Sequence, residues 1–219
     1  MGMCSMLASQ AWRTRRWLSL SLMAFGSACL ILYGLVTVRT WLYQREAKAE
    51  VEQMVAIERP PQVARNLPEV SKPLANGELI GRVDIPRLRL SAAVAEGEDD
   101  KTLDKAVGHL SDTPLPWDRH GNVGLAAHRD GLFRALEGIR LNDEVRIVTS
   151  RGVFHYRVRK THIVNPDDVW VLAPTANPTV TLITCYPFSF IGNAPQRFIV
   201  QAELEDQGAG SALKGSVVK

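Results

Sequence analysis

The sequence predicts an all-β domain, a barrel or sandwich with short helical insertions, carried behind one N-terminal transmembrane helix. Three observations predict it. An uncharged apolar run, WLSLSLMAFGSACLILYGLVTV, fills residues 17–38. Seven short runs of β-branched and alternating residues recur from residue 79 to residue 205: LIGRVDI, LRLSAAV, GNVGLAA, EVRIVTS, GVFHYRVRKTHIV, TVTLITC and RFIVQAEL. Turn residues separate them, and only TLDKAVGHL and GLFRALEGI read as short helices.

The 219 residues carry a formal charge of +3, enough chain for one ordinary domain with appendages. The charge is too small, and the tryptophans too scattered among the basic residues, for a surface that stacks bases and follows a phosphate backbone. Nucleic acid is excluded as a partner on that ground.

Residues 1–16 form a short N-terminal segment with Arg13, Arg15 and Arg16 at its end. As a helix, the roughly 22 residues that follow would span about 33 Å, enough for a hydrocarbon core of about 30 Å. The arginines on the N-terminal flank outweigh the mixed charges after Arg39, which directs residues 1–16 to the cytoplasm and the rest outward across the plasma membrane. A cleaved signal peptide is the competing reading. The run is longer than an ordinary signal core and lacks a small-x-small site at its end. GSAC at 26–29 has Gly26 where a lipoprotein box needs a large aliphatic residue. An uncleaved signal-anchor is therefore expected.

Residues 39–78 are expected to form a stalk and linker. Positions 40–58 are rich in helix formers and stop at Pro60 and Pro61, and the proline-rich stretch from there to Glu78 has no sustained period. The domain proper runs over 79–205. Within it, EVRIVTS and VFHYRVRKTHIV flank Arg151-Gly152, a pair suited to a tight hairpin turn. The tail, 206–219, is small and polar and is expected to be disordered.

This topology separates the three cysteines: Cys4 inside, Cys29 within the bilayer and Cys185 outside. A lone thiol in an oxidising compartment raises the question of a nucleophile, and such a thiol needs a nearby base or cation. Among the five histidines, His155 lies on the polar face of a half-solvated strand and His162 ends that strand. His120 sits in a turn, and His109 lies near the end of a short helix where positive charge suits the dipole. His128 differs, because it ends the apolar run VGLAA and is followed by Arg129, Asp130 and Gly131, so a strand delivers polar side chains to a rim. Position alone leaves it one candidate partner for Cys185 among others. Arg197 opens the last strand and alternates away from Phe198, Val200, Ala202 and Leu204. By position it reads first as an ordinary surface arginine and only second as a donor for a developing oxyanion.

TLITCYPF at 181–188 and AAHRD at 126–130, with an arginine a dozen residues after the cysteine, together resemble the sortases, membrane-anchored cysteine transpeptidases. The longer run TLITCYPFSFIGNAPQRFIV is most similar to class D members. The resemblance covers about 79–205, with Ala127 standing where many members have glycine. It implies a closed β-barrel and a catalytic set of His128, Cys185 and Arg197. By that resemblance, Cys185 attacks the threonine carbonyl of an LPxTG-like sorting signal and an amine from an envelope component or a pilin lysine resolves the acyl-enzyme. His128 protonates the leaving amine, and Arg197 holds substrate and oxyanion. Thr184 and Leu182 are strand supports, with Thr184 also a candidate substrate contact, while Asp130 is a rim carboxylate. No cofactor or metal is expected; calcium binds some sortases, but EGEDD at 96–100 and NPDD at 165–168 lack regular ligand spacing.

Three rival readings compete with this one. L,D-transpeptidases keep serine and glycine before the cysteine and an arginine two residues after it, where this chain has Thr184 and Pro187. In papain-like hydrolases the cysteine precedes the histidine. A tethered, non-enzymatic β-domain would hold Cys185 as a small buried hydrophobe.

Overall fold

The computed structural model describes residues 3–56, 73–190 and 192–205. Most of the proline-rich linker and all of the 206–219 tail lie outside the described residues. Two compact units divide at Leu42 and Tyr43. The first is helical, part of α1 (Met3–Ala56). The stretch Leu20–Gln53 is long and apolar enough to cross a membrane, and side chains such as Leu22, Phe25, Leu30 and Tyr33 are exposed along it. Lipid is the medium that such a surface suits.

The second unit opens with the last turns of α1. There Ala47 and Val51 are buried, and the Gln44 amide donates to Lys105 O and accepts from Ala93 N. Eight strands follow: β1 (Leu79–Ile85), β2 (Leu90–Glu96), β3 (Val107–His109), β4 (Asn122–Ala126), β5 (Glu144–Thr149), β6 (Gly152–Val164), β7 (Thr179–Tyr186) and β8 (Gln196–Leu204). They close into a barrel in the order β1-β2-β3-β4-β7-β8-β6-β5. Pairing is antiparallel except for β2 with β3 and β4 with β7. Closure leaves no free sheet edge. The expected closed barrel with short helical insertions is the fold observed.

Alternation decides which residues fill it. Val123 and Leu125 of β4, Val180 and Leu182 of β7, and Val200 and Ala202 of β8 join Val83, Ile85, Ile147 and Tyr156 in the buried core. Their odd-even neighbours therefore face outward. On the outer face of β4, Gly124 has no room for a side chain, since a Cβ there would come within 3.0 Å of Leu172 and 3.2 Å of Thr113. The 3-10 turn Val169–Leu172 thus seats directly on the strand. Gly124→Val is expected to lower stability by about 2 kcal/mol through overpacking, read as a shifted urea midpoint with an unchanged slope.

Four local expectations are corrected. TLDKAVGHL is not one helix: a four-residue α2 (Asp100–Leu103), capped by the Asp99 carboxylate, is followed by β3. A three-residue strand is too short to show a period of two. His109 accordingly does not end a helix but is buried in β3, where its Nδ1 lies 2.8 Å from Glu96 Oε2 and its Nε2 3.0 Å from Pro114 O. Glu96 and His109 are register partners across β2 and β3, a pairing that local spacing does not reveal. The third correction concerns the hairpin, whose turn is Ser150-Arg151, because Thr149 already pairs with Gly152; the glycine, at φ 127°, begins β6 instead of closing the turn. GLFRALEGI is helical only as a 3-10 segment, Arg134–Gly138.

Away from these elements, Arg87 fastens the chain after β1 to the loop before β5. Its guanidinium donates to both oxygens of Asp143 and to Gly138 O. Asp143 also accepts from Arg140 N at 2.8 Å. The Arg87 hydrogen bonds, opposed by burial and aided by Arg140 N, hold the Asp143 carboxyl below the usual range. A depressed folded pKa stabilises the fold above the unfolded value, about 3.9, and that stabilisation fades as pH falls through the folded value. Asp143→Asn should therefore lower stability at neutral pH and flatten its loss below about pH 4, measured by urea titrations at each pH.

Candidate active site

The site follows from two registers. β4 runs parallel to β7 with Ala126 opposite Ile183, and Ala127 N continues the ladder by donating to Ile183 O at 3.2 Å. Extending that register by two residues sets His128 at the level of Cys185. β7 pairs antiparallel with β8, and there Cys185 is the direct partner of Arg197. Three adjacent strands thus bring His128, Cys185 and Arg197 to one level, with neighbouring strands about 4.8 Å apart.

All three belong to the outward set of their strands. Leu182 and Thr184 point in on β7, so Ile183 and Cys185 point out; Phe198 and Val200 pack inward on β8, so Arg197 and Ile199 point out. Below this level the outer face is covered. Ile199, Val171 and Val164 form a second apolar cluster with Leu172 and Ile183, and Val171 O accepts from both Asn122 Nδ2 and Gln201 Nε2. Above it the cover stops. Cys185 and Arg197 are half-buried and the His128 side chain is 45% exposed, so a ligand can reach all three.

Thr184 is buried, and its hydroxyl donates to Ala127 O at 2.8 Å. That bond ties β7 to the residue before His128. The Arg197 guanidinium donates through Nη1 to Ala194 O and Gln196 O; its described bonds use that nitrogen alone. His128 Nε2 lies 3.9 Å from Asp104 Oδ1, an exposed contact of little strength.

The other histidines are engaged elsewhere. His155 Nδ1 lies 2.9 Å from Glu144 Oε1, His162 stacks edge-on against Trp170, and His120 Nδ1 contacts Asp118 O. In the two acidic stretches, Asp99 accepts from Asn76, Lys101 N and Thr102, and Asp168 accepts from Asn165 N. Asp130 is exposed. Arg134 escaped the sequence reading, and Arg129 was legible only as a polar residue of the rim, not by what it holds. Both donate to backbone carbonyls of the loop joining β7 to β8, and a surface arginine carries no local signal of such a contact.

The chain and its fold have known relatives. Residues 83–205, more than half of the chain, match the family model of the sortase domain. Sortase D of Bacillus subtilis (strain 168) is 38% identical over 125 residues, covering 57% of this chain and 63% of that protein. Sortase A of Streptococcus agalactiae serotype III (strain NEM316) is 26% identical over 153 residues, 66% of this chain and 60% of its own length. The chain thus spans less than two thirds of the length of these relatives. Among solved structures, a Clostridium perfringens Sortase D5 transpeptidase superposes with a TM-score of 0.62 at 25% identity, covering 75% of this chain and 99% of that one. A sortase of Actinomyces oris gives 0.56 at 27% identity, with 64% and 87% covered.

Proposed function

Since this chain belongs to the sortase family, we propose that it is a membrane-anchored cysteine transpeptidase that cleaves an LPxTG-like sorting signal after its threonine and transfers the threonine acyl group to an amine. The observation that carries the reading is the common level of His128, Cys185 and Arg197 on one outward face of β4, β7 and β8.

The chemistry closes with these groups alone. The Cys185 thiolate adds to the threonine carbonyl and forms a C–S bond. As the tetrahedral intermediate collapses, the C–N bond to glycine breaks and His128 gives the departing amine its proton. The acceptor amine then adds to the thioester, losing a proton to His128, and Cys185 leaves as thiolate. Charge that develops on the carbonyl oxygen in both steps meets the Arg197 guanidinium, which also holds substrate. Thiol, imidazole and guanidinium supply nucleophile, proton and counter-charge, so the reaction calls for neither metal nor cofactor.

The acceptor belongs to an envelope component or to a pilin lysine. The arginines at 13, 15 and 16 orient the helix with its N-terminus in the cytoplasm, and the barrel faces outward from the plasma membrane.

The test uses the full chain in detergent micelles, incubated with a panel of LPxTG-like peptides and a small amine and followed by mass spectrometry beside Cys185→Ala. A thioester adduct or an amine-exchanged peptide that needs the intact thiol supports the reading. Failure of every peptide, together with a Cys185 that a thiol reagent does not label, overturns it.

A further inference from the structure

The loop that leaves β7 at Pro187 and returns at Gln196 joins Cys185 to Arg197. Two arginines from the segment just after β4 grip it. Arg129, the residue after His128, donates through Nη2 to Phe190 O at 2.7 Å and to Gly192 O at 2.8 Å. Its guanidinium carbon also lies 5.9 Å from the centre of the Phe190 ring. Arg134 donates to Phe188 O at 3.1 Å. The segment is itself folded back, since His128 O accepts from both Gly131 N and Phe133 N, and Phe133 and Leu136 are anchored in the core. A rigid turn thus carries the imidazole on one side and the grip on the loop on the other.

Resting on the transpeptidase reading, we propose that Arg129 is a positioning residue: it clamps the backbone at Phe190 and Gly192 to the turn bearing His128 and so fixes the wall against which the sorting peptide lies. A peptide whose carbonyl is held between Cys185 and Arg197 must pass beside the loop that connects them. Among the described residues, what ties that loop to the His128 turn is these arginine bonds, the Phe190 ring contact and Phe188, which is buried in one core cluster with Phe133 and Leu136; the arginine bonds are the polar part of that grip. The remaining terminal nitrogen of Arg129, Nη1, is buried and has no hydrogen-bond partner among the described residues, so its grip on the loop is made through Nη2.

The β7–β8 ladder, not the clamp, holds Cys185 and Arg197, so binding and thiol reactivity should separate. In the full chain in detergent micelles, Arg129→Met should raise the KM of the best LPxTG-like peptide about tenfold, the equivalent of one charge-assisted hydrogen bond. Alkylation of Cys185 by iodoacetamide should stay within about twofold, and Tm within about 4 °C, the shift of about 1 kcal/mol. Arg129→Lys, which keeps the charge but not the two-carbonyl geometry, should recover part of the lost KM. An unchanged KM in Arg129→Met overturns the proposal. So does a parallel collapse of KM, alkylation and Tm in both variants, which would make Arg129 a fold residue. If Arg129→Met does not fold, Arg129→Lys decides alone, with a raised KM at unchanged alkylation as the supporting result and an unchanged KM as the refuting one. A wild-type chain that turns over no peptide refutes the transpeptidase reading instead, and the two failures are distinct.

Discussion

His128→Ala is expected to reduce kcat/KM for peptide cleavage by about a thousandfold while leaving the barrel intact, because general acid-base groups contribute roughly 10²–10⁴ to such steps. Each tenfold corresponds to about 1.4 kcal/mol of transition-state stabilisation, so about 4 kcal/mol is assigned to the imidazole. The His128 side chain is 45% exposed and, among the described residues, makes one weak ion-pair contact, to the exposed Asp104, so its removal should leave neither a core cavity nor a buried unpaired partner. His109→Leu serves as the contrast. It deletes the partner of a buried carboxylate, Glu96, and breaking such a pair costs about 3 kcal/mol or more. That loss lowers Tm by about 10 °C in a chain of this size, and the protein that remains folded should keep its specific activity. Thermal unfolding and peptide turnover, run on both variants, separate the roles. A stable, active His128→Ala protein would remove the residue from the mechanism.

Arg197→Lys should cost about a hundredfold in kcat, the lower end of what losing one oxyanion donor costs. The argument is geometric. Nη1 of Arg197 is spent on Ala194 O and Gln196 O, and the guanidinium is planar, so that pair of bonds fixes the direction in which Nε and Nη2 present their protons. An ammonium has no such fixed plane: it can replace the charge, but not both the anchoring bonds and the aim. Because Arg197 faces outward and its backbone stays paired with Cys185, the fold should be unaffected. Steady-state kinetics with one peptide across a range of concentrations is the measurement. A rise in KM with kcat unchanged would mean that Arg197 holds the substrate but not the oxyanion.

How much of this was legible beforehand can be judged residue by residue. Alternation along TVTLITC and RFIVQAEL separates the inward Leu182, Phe198 and Val200 from the outward Cys185 and Arg197, and the barrel keeps that division. The lone thiol, the strand-end histidine and the outward arginine were therefore readable one at a time. A period of two is a local property of the backbone, so seven of the eight strands could be read from it.

The apolar helix, the strand alternation and the chemistry carried by the three side chains were determined by the sequence by itself, because hydrophobic period and residue type are local. Only the tertiary structure decided which strands are neighbours. The parallel pairing of β4 with β7 joins residues more than fifty positions apart, and no short-range pattern encodes it. The same is true of the Glu96–His109 pair across β2 and β3 and of Arg129 reaching Phe190 and Gly192. Each is a contact whose loop-closure entropy is recovered only when the whole barrel closes, so the fold assembles these sites as it forms.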